Sequence, residues 1–504
     1  MGSGRAAHGG AQWCLGPLRS NGMSSRALYL AIGALFGVWL VLGARYDMQL
    51  AHVPQAVSEN TEIPPTTPLT QLKDARLMRY CSPAVSSGAE GLRPAALAES
   101  GLQLRSVVLT IRHGDRSAIF EVAGSLPPAG GQGYSCAPGN LSSLWKNLPK
   151  RFRAISTAEG QPLREEMLRP KLKEGSSLAS ECAPGQLTAR GFRQHLELGA
   201  HLNGAYREFL AALQRHDRGR LYVRSTDYPR TVTSAAALLT SLLPTWSDRI
   251  DIEVHEEESA EVMHGVGLKT SSKAGDGKAE RIERGTCKAA VRHSAAQFDA
   301  WRQPVEEYAQ LERLFGPVAR THAVCDFADS MYAATCHALP LPCGPGGCVQ
   351  PELANAVAQR ADEFYCERFS GSEGGEVATS LAFYPFLREL LSLLKEATTL
   401  DAAPSLAVFS GHDTVIAPLL SALGAYHRFC EWPSYASRIA FELYSRPMSK
   451  AHVVFYVRVL FNGEQLYGLR GCPEGEELCE LEDFARGVES LLGGAPDLRA
   501  ACEA

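Results

Sequence analysis

Short apolar runs that stop abruptly at charged residues set the pattern of this 504-residue chain. Leu104 to Ile111 is rich in β-branched residues and predicts a buried core strand. Leu221 to Arg224 and Leu406 to Phe409 predict two further strands, and Ile439 to Tyr444 with Val453 to Leu460 predicts a hairpin or neighbouring strands. Elsewhere the apolar period is helical. Phe192, Leu196, Leu202, Tyr206, Phe209 and Leu213 predict one amphipathic helix over Thr188 to Leu213, with Thr188 as its N-cap. Ala235 to Leu243 reads as a helix ended by Pro244, and Val415 to Leu423 as one closed by Gly424. Strands alternating with helices predict an α/β fold, its central sheet flanked by helices on both faces. Two long stretches, about 121–183 and 254–376, interrupt the alternation, and both read as contributions to a cap over the site. No internal repeat is present.

The N-terminus follows a different pattern. Ala27 to Ala44 is an apolar stretch without a charge, close to the minimum length for a bilayer span. Arg5, Arg19 and Arg26 precede it, and no acidic residue does. The bias places residues 1–26 in the cytoplasm as a tail, 27–44 in the membrane as a signal anchor, and the remainder in the lumen. Leu42 makes a poor signal-peptidase site, which favours the anchor over a cleaved signal peptide. Pro54, Pro64, Pro65 and Pro68 among small polar residues make 45–71 a stem, with a folded domain over 72–504.

Composition narrows the class. The chain is 45% hydrophobic and 21% charged, and its formal charge of −5 argues against nucleic acid as a partner. Cys14 precedes the anchor, and the other thirteen of the fourteen cysteines follow it. Scattered cysteines in a large luminal chain predict disulfides rather than a structural zinc site. Their odd number leaves at least one free or paired between chains, and Cys343 with Cys348 lie close enough to close a small loop. Asn140-Leu141-Ser142 is a glycosylation sequon.

The candidate chemistry lies where strands end. The first delivers Arg112, His113, Gly114, Asp115 and Arg116; the second Arg224, in V-R-S-T-D-Y-P-R-T; the third His412 and Asp413, in S-G-H-D-T. A lone Arg-His pair on a loop is usually a solvated surface feature. Five basic groups and a carboxylate, each just past an apolar strand, suit convergence at the carboxyl edge of a sheet. Two arginines around one histidine fit a phosphate group. His113, neutral in one tautomer, is the expected nucleophile on phosphorus. Arg112, Arg116, Arg224 and His412 are expected to hold the phosphate oxygens. Asp413 is expected to enter protonated, give its proton to the leaving alkoxide and then assist water. Asp115 reads as an orienting residue and His195 as a packing or solvent-facing one. The cationic side chains supply the electrostatics, so no cofactor and no metal is expected. A carboxyl acid favours activity at acidic to near-neutral pH.

R-H-G-D-R, R-S-T-D followed by R-T, S-G-H-D-T, Q-L-T-A-R-G-F-R-Q-H at Gln186 to His195 and V-R-V-L-F-N-G at Val457 to Gly463 together resemble the histidine acid phosphatase branch of the histidine phosphatase superfamily. The resemblance runs from about Cys81 onward. It implies a phosphomonoesterase with a covalent phosphohistidine, a mixed central sheet and a smaller, mainly helical cap domain formed by insertions. It implies the same six residues, Arg112, His113, Arg116, Arg224, His412 and Asp413. Ser117-Ala118 departs from the proline that often follows this loop. Asp329 to Val349 and Tyr435 to Tyr444 are similar to the members that remove the 2-O-phosphate from xylose in the glycosaminoglycan–protein linkage region. That likeness implies a Golgi type II membrane protein and Golgi glycosyltransferases of linkage synthesis as partners. The alternatives are a broad acid phosphatase, an inositol-polyphosphate phosphatase, or an inactive scaffold; the intact six-residue set opposes the last.

Overall fold

The computed structural model describes residues 75–503 apart from internal segments, the longest being 123–133, 170–181, 256–262, 264–286 and 294–305. The tail, anchor and stem expected over 1–71 lie outside the described residues.

Seven strands carry the architecture: β1 (Gln103–Arg112), β2 (Phe152–Ser156), β3 (Arg220–Thr226), β4 (Ile250–His255), β5 (Ser405–Gly411), β6 (Arg438–Ser449) and β7 (His452–Phe461). They lie in the order β7-β6-β1-β5-β3-β4-β2. β1 to β5 pair in parallel, whereas β6 pairs antiparallel with β1 and β7 antiparallel with β6. The sheet is therefore mixed. The last seven residues of β1 are buried without interruption, as expected of a strand covered on both faces.

Each face has its own core. On one side Val107, Leu109 and Ile111 pack with Phe192 and Leu198 of α1 (Ala189–Ala205) and Leu238 of α2 (Pro229–Leu242). On the other, Val108 packs with the apolar side chains of four further helices. These are α3 (Val324–Cys336), α4 (Pro351–Ser370), α5 (Gly375–Glu396) and α6 (Asp413–Ala422). Among the described residues α5 alone is long and apolar enough to cross a membrane, but 67% of its apolar window is buried in this core.

Thr188 caps α1 as expected, its hydroxyl accepting from the Gly191 N–H. The single helix expected to Leu213 is instead two, because α1 stops at Ala205 and another runs Arg207–Arg215. At the break, Tyr206 is buried and its hydroxyl donates to Glu442 Oε1 at 2.8 Å. The interruption expected over about 121–183 is only partly an insertion. Within it a helix, Ser142–Arg151, leads into β2, the edge strand paired with β4. The interruption over about 254–376 is mainly helical where described, and its α3 and α4 reach the ends of β1 and β5 through Asp329 and Tyr365.

Six disulfides cross-link the described residues: Cys81–Cys336, Cys136–Cys182, Cys287–Cys502, Cys343–Cys348, Cys366–Cys430 and Cys472–Cys479. Cys325 is left as a thiol, which matches the odd count, and burial raises its pKa. Such a set fits an oxidising compartment.

Candidate active site

The carboxyl ends of β1, β5 and β3 lie side by side, so Arg112, Gly411 and Thr226 open onto one edge. Arg112 is fully buried; its guanidinium donates to Tyr80 Oη at 3.0 Å and to the Pro433 carbonyl, and lies 4.6 Å from the Tyr435 ring centroid. His113 is pinned by its own backbone, whose N–H reaches the Gly411 carbonyl at 2.9 Å and whose carbonyl accepts from Ala436 at 3.1 Å. Its Nδ1 lies 2.8 Å from the Gly114 carbonyl. A carbonyl only accepts, so Nδ1 carries the proton and Nε2 keeps its lone pair. Burial, then Arg230, Arg112 and Arg116, push the His113 pKa well below its ordinary value, so the ring is neutral in mildly acidic solution.

Gly114 is required by packing. A Cβ there would meet the Gly191 carbonyl oxygen at 2.3 Å, and one on Gly191 would meet the Asp115 carbonyl at 2.1 Å. The loop and the first turn of α1 therefore touch backbone to backbone. Asp115 faces this seam: its Oδ1 accepts from Thr188 and lies 2.5 Å from His337 Nε2, while its N–H donates to Gln194 Oε1 at 2.8 Å. Its place is orienting, as expected. His195 is buried, with Nε2 3.1 Å from the Arg112 carbonyl, and supports the loop from behind. Ser117 bonds the Ala183 carbonyl at 2.8 Å, and its N–H reaches the Gln186 carbonyl at 3.0 Å, which ties down the loop that lacks the proline.

Arg116 pairs with Asp329 at 2.6 Å, both fully within the fold. His412 ends β5 and precedes α6, with Nε2 2.9 Å from Thr226 Oγ1 and its ring 5.4 Å from that of His113. Asp413 opens α6, where a carboxylate suits the helix N-terminus. Its Oδ2 lies 2.7 Å from Arg112 and its Oδ1 accepts from Tyr365 at 2.9 Å. Burial alone would raise its pKa, but Arg112 and Arg116 outweigh burial and hold it below the usual value. Without substrate Asp413 is therefore held toward the carboxylate, so a proton for the leaving group has to come with the substrate.

Arg224 is corrected. It leaves β3 to grip both oxygens of Glu389, at 2.9 and 2.8 Å, and reaches His255 Nδ1 at 3.0 Å. The arginine that joins the cluster is Arg230, in the first turn of α2. Its guanidinium lies 3.5 Å from His412 Nδ1 and 4.4 Å from the Tyr228 ring centroid, with no carboxylate partner among the described residues. Burial, then Arg116, lower its pKa to about 10. A cation at a helix N-terminus is doubly unfavoured, so this corner lacks an anion. Arg230 was visible in the motif V-R-S-T-D-Y-P-R-T, one helical start beyond the strand end; Asp329 and Tyr365 left no local signal. Asn140 lies on the single turn Gly139–Leu141.

Residues 103–315 and 351–462 match the family model described as histidine phosphatase superfamily, branch 2. The chain belongs to that branch. It is a phosphoric monoester hydrolase of the histidine phosphatase type. Human 2-phosphoxylose phosphatase 1 is 26% identical over 459 residues, covering 86% of each chain. Counting factor 60 of Dictyostelium discoideum is 26% identical over 417 residues, 81% of this chain and 90% of its own. Bovine lysosomal acid phosphatase is 28% identical over 320 residues, 61% of this chain and 70% of its own. A solved multiple inositol polyphosphate phosphatase of Bifidobacterium longum aligns over 81% of this chain and 97% of its own, with 13% identity and a TM-score of 0.49.

Proposed function

We propose that His113 attacks a phosphate monoester through Nε2, forming a phosphohistidine that water then hydrolyses. The observation that carries this reading is a neutral histidine with a bare Nε2 beside buried guanidiniums that outnumber their carboxylates. Arg112, Arg116, Arg230 and His412 hold the phosphoryl oxygens and offset their charge in the transition state. A substrate arriving as the monoanion brings a proton. Its charge competes with Asp413 for Arg112, so the carboxylate gains basicity and takes that proton. As Nε2 bonds to phosphorus the P–O bond to the alcohol breaks, and Asp413 returns the proton to the departing oxygen. The resulting carboxylate then accepts a proton from the attacking water. The Nδ1–H bond to Gly114 supports the charge on the phosphorylated ring.

The substrate is proposed to be the 2-O-phosphorylated xylose of the glycosaminoglycan–protein linkage region, whose dephosphorylation lets the chain elongate. The relatives named 2-phosphoxylose phosphatase 1 from human and Xenopus tropicalis cover 86% and 89% of this chain, beyond the 61% covered by lysosomal acid phosphatase. A type II placement anchored by Ala27 to Ala44 with a luminal domain is supported by the apolar segment and the six disulfides, and its assignment to the Golgi, with glycosyltransferases of linkage synthesis nearby, rests on the likeness to the 2-phosphoxylose phosphatases. The cap role of the interruptions and glycosylation of Asn140 belong to the same reading. Turnover of a 2-phosphoxylose linkage oligosaccharide is measured beside phytate and p-nitrophenyl phosphate. A kcat/KM for the oligosaccharide at least tenfold above both supports the sugar assignment; equal values favour a broad acid phosphatase, and preference for phytate an inositol-polyphosphate phosphatase.

A further inference from the structure

Asp413 has two oxygens with different neighbours. Oδ2 meets Arg112, a phosphate ligand in the reading above, whereas Oδ1 accepts from Tyr365, which among the described residues makes no hydrogen bond to another group of the cluster. Tyr365 is buried, and its elevated pKa, caused first by burial and then by Asp413, keeps its hydroxyl a donor. It lies on α4, far in sequence from the three strand-end motifs.

The ring is clamped. Trp432 stacks on it at 4.9 Å with an 18° interplanar angle, and Phe369 meets it edge-on at 5.6 Å. Next to it in sequence, Cys366 is bridged to Cys430, which draws the loop carrying Trp432, Pro433 and Tyr435 against α4. That loop supplies the Pro433 carbonyl that Arg112 donates to. One rigid unit thus fixes the guanidinium on one side of Asp413 and the phenol on the other.

We propose that Tyr365 is the positioning residue for the carboxyl that protonates the leaving group. Its hydrogen bond fixes the rotation of Asp413 about its carboxyl so that Oδ2, not Oδ1, faces the reacting phosphate. When Arg112 turns to the substrate, Tyr365 remains as a neutral donor that holds the carboxyl in place, beside the Trp432 side chain that also acts on it, and Oδ2 is released to carry the proton. The inference rests on Asp413 being the acid. Other cations acting on Asp413 are Arg116, Arg230 and Arg368. The neutral titratable groups near it are Tyr80, Tyr426 and the Cys325 thiol. Of these, Arg368 and Cys325 also interact with Tyr365 itself.

The test compares Tyr365→Phe, Asp413→Asn and the double variant in the full chain, with p-nitrophenyl phosphate and an alkyl sugar phosphate. Tyr365→Phe keeps the stacked ring. It should lower kcat about tenfold or more on the sugar phosphate and by less than about threefold on p-nitrophenyl phosphate, whose leaving group needs little protonation. The limb of the kcat profile that belongs to Asp413 should move to higher pH, because a bond to the ionised form is lost. Inhibition by inorganic phosphate should stay within about twofold, and Tyr365→Phe should add nothing in the Asp413→Asn background. If Asp413→Asn slows the sugar phosphate selectively while Tyr365→Phe slows both substrates equally, or neither, the positioning role is overturned and the acid stands. If Asp413→Asn itself shows no leaving-group dependence, the assignment of the acid falls, and this inference with it.

Discussion

Two buried ionic clusters meet the central sheet, and they differ in balance. One fastens residues 89–92 to β6 and β7. There Glu90 pairs with Arg438 at 2.5 Å and with His201 at 3.1 Å, and Glu442 pairs with Arg458 at 3.1 Å. Tyr206 and Tyr444 donate to Glu442, and so does the Gly91 N–H at 2.7 Å. Two buried carboxylates meet two guanidiniums, and the half-exposed Glu477 reaches Arg458 at the rim at 3.2 Å. At the other cluster, among the described residues, the carboxylates that Arg112, Arg116 and Arg230 face are Asp413 and Asp329. Buried charges persist when they are paired. The balanced cluster is complete within the fold, whereas the unbalanced one is completed by an anion, which the phosphate ester supplies.

The largest effect expected concerns the nucleophile. His113→Ala should lower kcat on the order of 10^4-fold or more and abolish acid-labile labelling by a phosphorylated substrate. Labelling that persists on another residue overturns the assignment. The same substitution at His201, in the balanced cluster, should leave the labelling intact.

The excess cation can be removed directly. Arg230→Gln should cost about 10^2- to 10^3-fold in kcat/KM, yet raise the melting temperature of the ligand-free protein, because burial and Arg116 already disfavour its charge. Phosphate should then raise the melting temperature of the variant less than that of the wild type. Arg224→Gln should change kcat/KM by no more than about tenfold, equivalent to ~1.4 kcal/mol, since Glu389 and His255 occupy that guanidinium. Should Arg224→Gln prove the more damaging to phosphate affinity, the exchange of the two arginines is refuted.

In the balanced cluster the expected loss is structural. Arg458→Met leaves Glu442 buried without its guanidinium and should destabilise the protein by about 3 kcal/mol, read as a lower denaturant midpoint. Its kcat/KM on p-nitrophenyl phosphate should stay within about twofold at a temperature where the variant is folded. A large catalytic loss in folded Arg458→Met would mean that the two clusters are coupled across β1 and β6.

The strand ends were legible because burial on both faces makes β1, β3 and β5 apolar until they meet the site. The alternation that marks helix faces located α1, α2 and α6. The edge strand β2 and its inner neighbour β4 were missed: they are only five and six residues long, and the apolar–polar alternation of Ile250 to His255 is too short to stand out beside the longer runs. Of the six candidate residues, Arg112, His113, Arg116, His412 and Asp413 come together, and the exception, Arg224, came from assuming that the residue at the strand end faces the ligand. The guanidinium of Arg224 turns to Glu389 on α5, and the helix that follows brings Arg230 round instead. Asp329 and Tyr365 escaped because a buried carboxylate or phenol on a helix reads as core until its partner, 213 and 48 residues away respectively, is known.

The smallest effect tests the balanced cluster by acid. Burial would raise the Glu90 pKa, but the bond to His201 and the pairing with Arg438 outweigh it and lower it from 4.5 to about 2. A carboxylate with a depressed folded pKa contributes stability that is full above its unfolded value and is lost as pH falls through its folded one. The Glu90 contribution should therefore be intact at pH 5 and fade between about 4.5 and 2. Other carboxylates titrate in the same window, so the measurement is a difference. Denaturant stability of the wild type should fall more steeply than that of Glu90→Gln over this range, with parallel curves above pH 5. Parallel curves below it as well would mean that the clasp on residues 89–92 is held by packing and hydrogen bonds alone. Burial and the neighbouring arginines hold the His113 pKa down as well, so the Glu90 clasp and the proposed nucleophile are both set to keep their states as the solution turns acidic.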